Sequence, residues 1–389
     1  MSPSALFVTT VPITLEAFLL PFAGHFRSRG WRIDALTKDA TRYPAILGSF
    51  DTLYDITWSR NPLAVSDHFD TWARVRRIVI EGGYDIVHVH TPIAAFVTRF
   101  ALRSLPPAER PALIYTAHGF HFYEGQSFLG HAVFSTMERR AAPWTDYLVT
   151  INEEDFRAAR SFRTIPSERV RLIPGIGVDV DLFDPSSVTA EETAAVREGL
   201  GIAPDAFMLV MVAEFSPVKR HTHLLEALAR VRSDRVVVVF AGAGEAEEEV
   251  RERVAALGLE ERVRFAGFRR DIPALLAAGD ALTLVSAREG LPRSVLEAMS
   301  MGRPVIGTRT RGIVDAVGNV AAWIVPKHDV DALAAAIDHA AADPAEAARR
   351  GAAARGRARG RFALTDVLGA YADLYEEAHA GRHTGLEHG

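Results

Sequence analysis

Apolar residues along this chain gather in short unbroken runs. Each run is followed by a longer stretch in which apolar positions recur three or four residues apart. The first series reads ALFVTT (5–10), WRIDALT (31–37), YDIVHVH (84–90), ALIYTAH (112–118) and DYLVTIN (146–152). Runs of this length, rich in Val, Ile and Leu, predict strands buried on both faces, and the helical periods between them predict the covering layers. The rhythm restarts with FMLVMVAEF (207–215), RVVVVFAG (235–242), RVRFAG (262–267), ALTLVS (281–286) and PVIGT (304–308). Two such series predict two doubly wound α/β domains with parallel sheets, whose ligands lie outside the carboxyl ends of the strands. The seam is predicted within IPGIGVDVDLFDPSS (173–187), where Gly175, Gly177 and Pro185 interrupt regular structure.

A length of 389 residues agrees with two cores rather than one. The net charge of -5 gives a general nucleic-acid partner no electrostatic support. The absence of cysteine removes disulfides and thiolate metal sites and fits a reducing compartment. The opening MSPSALFVTTVPITLEAFLLPF is apolar, but it lacks a basic leader and carries Glu16, so it reads as a buried first strand rather than a signal peptide. No window approaches an uncharged membrane span of about 18 residues. The expected location is cytoplasmic. Peripheral contact with the inner face of the membrane is a separate expectation, drawn from FLGHAVFSTMERRAAPW (128–144). There apolar residues accompany Arg139 and Arg140, as on an interfacial helix, though a buried amphipathic helix explains the segment equally well. Toward the C-terminus, Gly356 and Gly360 predict a break or kink in an Ala- and Arg-rich helix. The Gly-Arg pairs there read as a solvated helix face rather than an RNA contact.

The phrase SAREGLPRSVLEAMSMGRPVIG (286–307) carries the chemistry. With ALTLVS as a strand and AREGL as a turn, Pro292 fits the first helical position, where its missing N–H costs nothing. The amides of Arg293 and Ser294 then become donors at the positive end of a helix, a site for an anion. Glu289 precedes that helix at the carboxyl end of a strand, and Glu297 lies about one and a half turns inside it. Two carboxylates flanking an anion site suit a phosphate set between two polyhydroxylated groups, the form of a sugar nucleotide. A dipole-complementing acid plus one surface Glu would explain each residue singly, but not the whole phrase. The GAGEAEE loop (242–248) lacks the third glycine and the following acid of a dinucleotide site, so a nicotinamide cofactor is excluded. His88 and His90 alternate with Val89 at a strand end; with no third ligand in view they do not read as a metal site.

EGLPRSVLEAMSMGRPVIGTRTRGIVDAV (289–317) resembles the family four glycosyltransferases, retaining enzymes of the GT-B fold, and carries that family's E-x7-E motif. The resemblance extends to HVHTPIAAFVTRFALR (88–103), YTAHGFHFYEG (115–125), LIPGIGVDVDLF (172–183) and VAEFSPVKRH (212–221), and so spans nearly the whole chain. Its phrases look most like the branch that builds exopolysaccharide, capsule or lipid-linked glycans. It implies two Rossmann-like domains facing across a cleft: residues 1–184 for the acceptor and 185–362 for the nucleotide sugar. A C-terminal helix over 363–380 would cross back to the first domain, followed by a flexible tail at 381–389.

The resemblance also implies roles. Glu289 would lie against the donor sugar and Glu297 would bind the ribose. The backbone from Gly290 through Leu291, Pro292 and Arg293 to Ser294 would hold the diphosphate and sugar hydroxyls. Lys219 would stabilise the departing diphosphate, while the arginine that the family pairs with it is replaced by Glu214, leaving Arg220 or the helix start to compensate. His118 would contact the donor sugar, and His121 belongs to the same loop. Gly267, Phe268 and Arg269 would meet the base, expected to be uracil. Many relatives place a Gly-Gly loop after the first strand; here Thr10, Pro12, Ile13 and Thr14 line that edge instead. No metal is implied.

The implied reaction is transfer of a hexosyl or N-acetylhexosaminyl unit from a UDP-sugar to an acceptor hydroxyl with retention. A covalent route needs two carboxylates about 5 Å apart. No nucleophile beyond Glu289 is evident, and the resemblance favours front-face attack assisted by the leaving phosphate. The alternatives are a soluble transferase acting on a small acceptor, differing around residues 10–20 and 60–66, a non-catalytic sugar-nucleotide sensor, and a GT-B epimerase.

Overall fold

The computed structural model describes residues 2–58, 65–106, 109–120, 122, 128–319 and 321–383. The chain forms two compact units, one of residues 1–176 together with 367–389, the other of residues 177–366.

The first unit contains β1 (Ser4–Val8), β2 (Arg32–Thr37), β3 (Leu53–Asp55), β4 (Ile86–Val89), β5 (Ala112–Ala117), β6 (Tyr147–Thr150) and β7 (Val170–Leu172). They form one parallel sheet in the order β3-β2-β1-β4-β5-β6-β7. The second unit contains β8 (Phe207–Val212), β9 (Val236–Ala241), β10 (Val263–Gly267), β11 (Ala281–Leu284), β12 (Val305–Thr308) and β13 (Ala322–Val325), ordered β10-β9-β8-β11-β12-β13. Both sheets wind outward in two directions from a central pair, β1/β4 in one and β8/β11 in the other. The crevice at each reversal is where such sheets bind ligands. The apolar runs become the strands, and all but β10 lie inside the sheets. All six residues of β9 are buried, and each large apolar side chain so placed contributes roughly 1.5–3 kcal/mol.

The sequence did not mark β3, β7 and β13. Two of these are three-residue strands with part-exposed positions, too short to show a period. The predicted helix break is also corrected. The helix Pro344–Arg361 runs straight through Gly356 and Gly360, each of which faces open space, and it ends only at the buried Phe362. Flanking Ala and Arg residues have enough helix propensity to absorb two glycines at about 1 kcal/mol each. The following helix, Leu364–His383, extends beyond residue 380, where the sequence reading placed a tail. Its Tyr375 stacks on Phe26 of the first unit at 4.2 Å, and Tyr371 meets Phe22 at 5.2 Å.

Candidate active site

In the second unit, the loops leaving β8 and β11 meet at the reversal point of the sheet. The Ala287 amide donates to the Val218 carbonyl at 2.8 Å, tying the two loops together. Beside this tie Lys219 Nζ donates to Glu289 Oε1 at 2.7 Å. Two residues 70 positions apart are thus brought together at the crevice where a ligand is expected. The Glu289 carbonyl accepts from Arg311 Nε at 3.4 Å. Gly312 follows, and a Cβ there would stand 2.4 Å from the Gly290 carbonyl oxygen, so only glycine lets the helix Arg311–Val317 close on this loop.

The helix after Glu289 is Arg293–Ser300, with Pro292 as its N-cap in an extended conformation. Pro292 therefore precedes the first helical position by one residue, because its carbonyl accepts from the Val295 and Leu296 amides and closes the first turn. The Ser294 amide makes no hydrogen bond among the described residues. Glu297 is buried, at 5% exposure, and its Oε1 accepts from Arg293 Nε at 2.6 Å. Burial pushes the Glu297 pKa up, and the Arg293 guanidinium opposes that shift. The sequence did not show that Arg293, assigned for its backbone, also covers the Glu297 carboxylate.

Glu214 is exposed and makes no ion pair among the described residues. Arg220 adopts a left-handed backbone, φ 54°, a conformation that disfavours side chains, and its Nη1 donates to the Lys327 carbonyl at 2.7 Å. Its side chain is therefore engaged at the loop after β13. The GAGEAEE loop is explained by packing. A Cβ on Gly242 would meet the Ala213 oxygen at 2.0 Å, and one on Gly244 the Phe215 oxygen at 2.3 Å, so the two loops lie in backbone contact. At the end of β10, Gly267 is left-handed, φ 64°, and Phe268 is 73% exposed. Arg269 is held by Asp271, whose pKa it helps to lower.

In the first unit, the reversal point between β1 and β4 is closed by threonines. The Thr10 amide donates to Thr91 Oγ1 at 2.9 Å, and the two hydroxyls lie 2.6 Å apart. Pro12 starts a helical run, Thr14 turns inward and is buried, and Ile13 is exposed. Of the four residues predicted along this edge, Ile13 alone is exposed, Thr10 and Pro12 are part-exposed, and Thr14 is buried. The run contains a π-turn at Leu15–Leu19, which sets Phe18 in a stack on His118 at 5.9 Å. His118 follows β5 and is part-exposed; burial of its surroundings pushes its pKa down to about 4, so the ring is neutral at pH 7. His90 Nδ1 lies 3.2 Å from His118 Nε2. His88 is bridged by the Tyr375 hydroxyl at 2.7 Å and Thr116 Oγ1 at 2.8 Å, and Tyr371 reaches Thr116 at 3.0 Å. Burial holds His88 and His90 well below the usual imidazole range. The H-x-H spacing considered for a metal thus builds a neutral ladder behind His118, in which His90 bonds His118, His88 bonds Tyr375 and Thr116, and the two rings meet at 3.9 Å. His121 and residues 59–64 lie outside the described residues.

Two family models divide the chain between them. That for "Glycosyltransferase Family 4" matches residues 15–182, and that for "Glycosyl transferases group 1" matches residues 192–357. The "Putative glycosyltransferase EpsD" of Bacillus subtilis (strain 168) is 34% identical over 316 residues, covering 80% of each chain. The UDP-Gal:alpha-D-GlcNAc-diphosphoundecaprenol alpha-1,3-galactosyltransferase of Escherichia coli is 29% identical over 234 residues, 59% of each chain. Among solved structures, Alr3699/HepE of Anabaena in complex with UDP superposes with a TM-score of 0.80 at 23% identity, covering 97% of this chain and 100% of that one. Two parallel sheets wound from central reversal points, the loop tie at Glu289 and the matches to both halves lead to one conclusion: the chain belongs to the group 1, family 4 glycosyltransferases and has their GT-B fold.

Proposed function

We propose that the chain transfers a hexosyl unit from a UDP-sugar to an acceptor hydroxyl, with retention, during synthesis of a polysaccharide or lipid-linked glycan. The observation that carries this reading is the Lys219–Glu289 pair at the reversal point of the second sheet, next to the start of the helix bearing Glu297. The ion pair holds a cation and a carboxylate in place before any ligand arrives, which is how electrostatic stabilisation avoids reorganisation during reaction. Lys219 and the Ser294 amide meet the diphosphate, Glu289 the sugar, and Glu297 the ribose hydroxyls. With Glu214 in place of a cation and Arg220 engaged at Lys327, stabilisation of the leaving group falls on Lys219 and the helix start.

His118 contacts the donor sugar as a neutral hydrogen-bonding group, and Phe268 offers its exposed face to the base near Gly267 and Arg269. The UDP donor is supported by the UDP, glucose and UDP-glucose complexes of HepE, and the lipid-linked acceptor by the undecaprenol-linked substrate in the name of the E. coli relative. Contact with the inner face of the membrane is supported by Val133 and Phe134, exposed on the helix that carries Arg139 and Arg140. Among the described residues no helix is long and apolar enough to cross a membrane.

A turnover screen of UDP-sugars with lipid-linked, oligosaccharide and small acceptors, read by product mass and anomeric configuration, tests the reading. A product of inverted configuration, or donor binding without turnover on any acceptor, overturns it. Loss of flotation with anionic vesicles in a Val133→Asp/Phe134→Asp variant checks the membrane contact; a wild-type chain that does not float removes it.

A further inference from the structure

The ladder behind His118 raises a question of proton placement that the donor site alone does not. His90 Nδ1 and His118 Nε2 lie 3.2 Å apart, with the rings stacked at 5.5 Å and 29°. Both imidazoles are kept neutral by burial, so one hydrogen lies between the two nitrogens and one of them must be the acceptor. Two arrangements satisfy that count.

In the first, His118 donates from Nε2 and His90 carries its own proton on Nε2. That nitrogen is buried and has no partner among the described residues. Its ring neighbours are Phe7 at 5.8 Å and His88 at 3.9 Å. Phe7 has no lone pair, and both nitrogens of His88 are already engaged with Tyr375 and Thr116. A proton on His90 Nε2 would therefore be an orphaned buried donor, a state that costs about 1–3 kcal/mol and is rare in folded proteins. In the second arrangement His90 donates from Nδ1 and leaves Nε2 as a bare acceptor, the better tolerated of the two deficits. His118 then accepts at Nε2 and carries its proton on Nδ1, and Nδ1 has no partner among the described residues.

We infer that His90 is a positioning residue that fixes His118 as the Nδ1–H tautomer, so that His118 presents an N–H donor, not a lone pair, to the oxygen it meets. Resting on the reading that His118 touches the donor sugar, this assigns the contact as donation to a sugar oxygen. Phe18 packs on the His118 ring, and His88, held by Tyr375 and Thr116, packs on the His90 ring at 3.9 Å, so both imidazoles are kept from rotating out of this register. No proton is transferred; the ladder selects which nitrogen holds one.

The test is long-range proton–nitrogen correlation NMR on the full chain, ring-labelled at histidine and free of substrate, with the His118 signals assigned by their loss in His118→Gln. The expected spectrum has protonated Nδ1 and bare Nε2 at His118. In His90→Asn the amide donor replaces Nδ1–H, so the tautomer persists and kcat stays within roughly threefold. In His90→Leu the donor is gone, His118 reverts to the Nε2–H form, and kcat falls roughly ten- to hundredfold with little change in the donor KM. A wild-type spectrum showing Nε2–H at His118 overturns the inference, and so does His90→Leu with unchanged tautomer and kcat. If His90→Leu does not fold, the wild-type spectrum still decides. Full activity in His118→Gln would instead remove the sugar contact and leave the tautomer assignment standing.

Discussion

The two units reverse strand order in the same way, yet hold their polar groups by opposite means. At the reversal of the second sheet the groups are charged and paired: Lys219 with Glu289, Arg293 with Glu297, Arg311 with the Glu289 carbonyl. At the reversal of the first they are neutral and linked in series, threonine to threonine and histidine to hydroxyl. The charged set holds cations and carboxylates in fixed pairs. The neutral set orients donors and acceptors without adding charge. The lesson is that one topology fixes where a site lies, while the loop residues decide whether its precision comes from ion pairs or from packed hydrogen bonds.

The sharpest way to break this contrast is to remove the carboxylate at the charged end. Glu289→Ala should lower kcat at least roughly 10³-fold with unchanged circular dichroism, because the reacting sugar loses its partner and Lys219 its anchor. Full activity would place the reacting site elsewhere. Lys219→Ala should cost roughly 10²- to 10³-fold in kcat, more than a similar change would cost where a second cation shares the diphosphate, since Glu214 stands in that place. A loss below tenfold would mean that another group carries the leaving charge.

Proton linkage separates the units next. His88, His90 and His118 all titrate below the ordinary imidazole value in the folded first unit, His118 at about 4. The unfolded chain therefore binds protons more tightly than the folded one between about pH 6.5 and 4, so stability is lost as pH falls through that window. Hydrogen exchange should show the opening constant of β4 and β5 rising at least roughly tenfold per pH unit there, one factor of ten for each linked proton. In the second unit His221, lowered to about 4, and His223, also lowered by burial, pull the same way, but Glu297 is raised and opposes them, so the slope should be shallower. Equal slopes would dissolve the contrast.

Glu297→Gln should weaken UDP binding roughly tenfold by calorimetry, about 1.4 kcal/mol. It should nonetheless raise the unliganded Tm. The folded chain holds the Glu297 proton more tightly than the unfolded one, so the buried carboxylate destabilises the fold at neutral pH, and the amide removes that burden. A lower Tm without ligand would show that the Arg293 pair outweighs burial. Smallest is Arg220→Gly, which relieves a left-handed backbone worth about 1 kcal/mol and loses one hydrogen bond of similar size, so Tm should move by only a few degrees.

These particulars also show how far the sequence could be read. All ten apolar runs became strands, nine of them inside the sheets where burial on both faces leaves a continuous apolar signal and one, β10, at an edge, and the Glu289–Glu297 spacing lies on one local strand-turn-helix unit. Of the three unmarked strands, β3 and β7 are three residues long with part-exposed positions and carry no such signal, whereas β13, Ala-Trp-Ile-Val, is an apolar run only four residues long. The turn at Arg220 breaks the preference of arginine for negative φ, which no local pattern announces. The histidine ladder joins residues 28 positions apart and takes hydroxyls from 255 and 287 positions away, so its logic exists only after the chain has folded. For the same reason the H-x-H spacing was legible as a motif but not as a function.

The return of the last helix also matters for how the chain folds. Residues 177–366 are one continuous segment, whereas the unit begun by residues 1–176 is completed by residues from 367 onward. The continuous segment therefore holds all of its own core, whereas the first unit waits, with the pockets for Tyr371 and Tyr375 unfilled, until the last helix joins it. A chain truncated after residue 366 should expose Phe22, Phe26 and His88 to chaperones while its second unit is native.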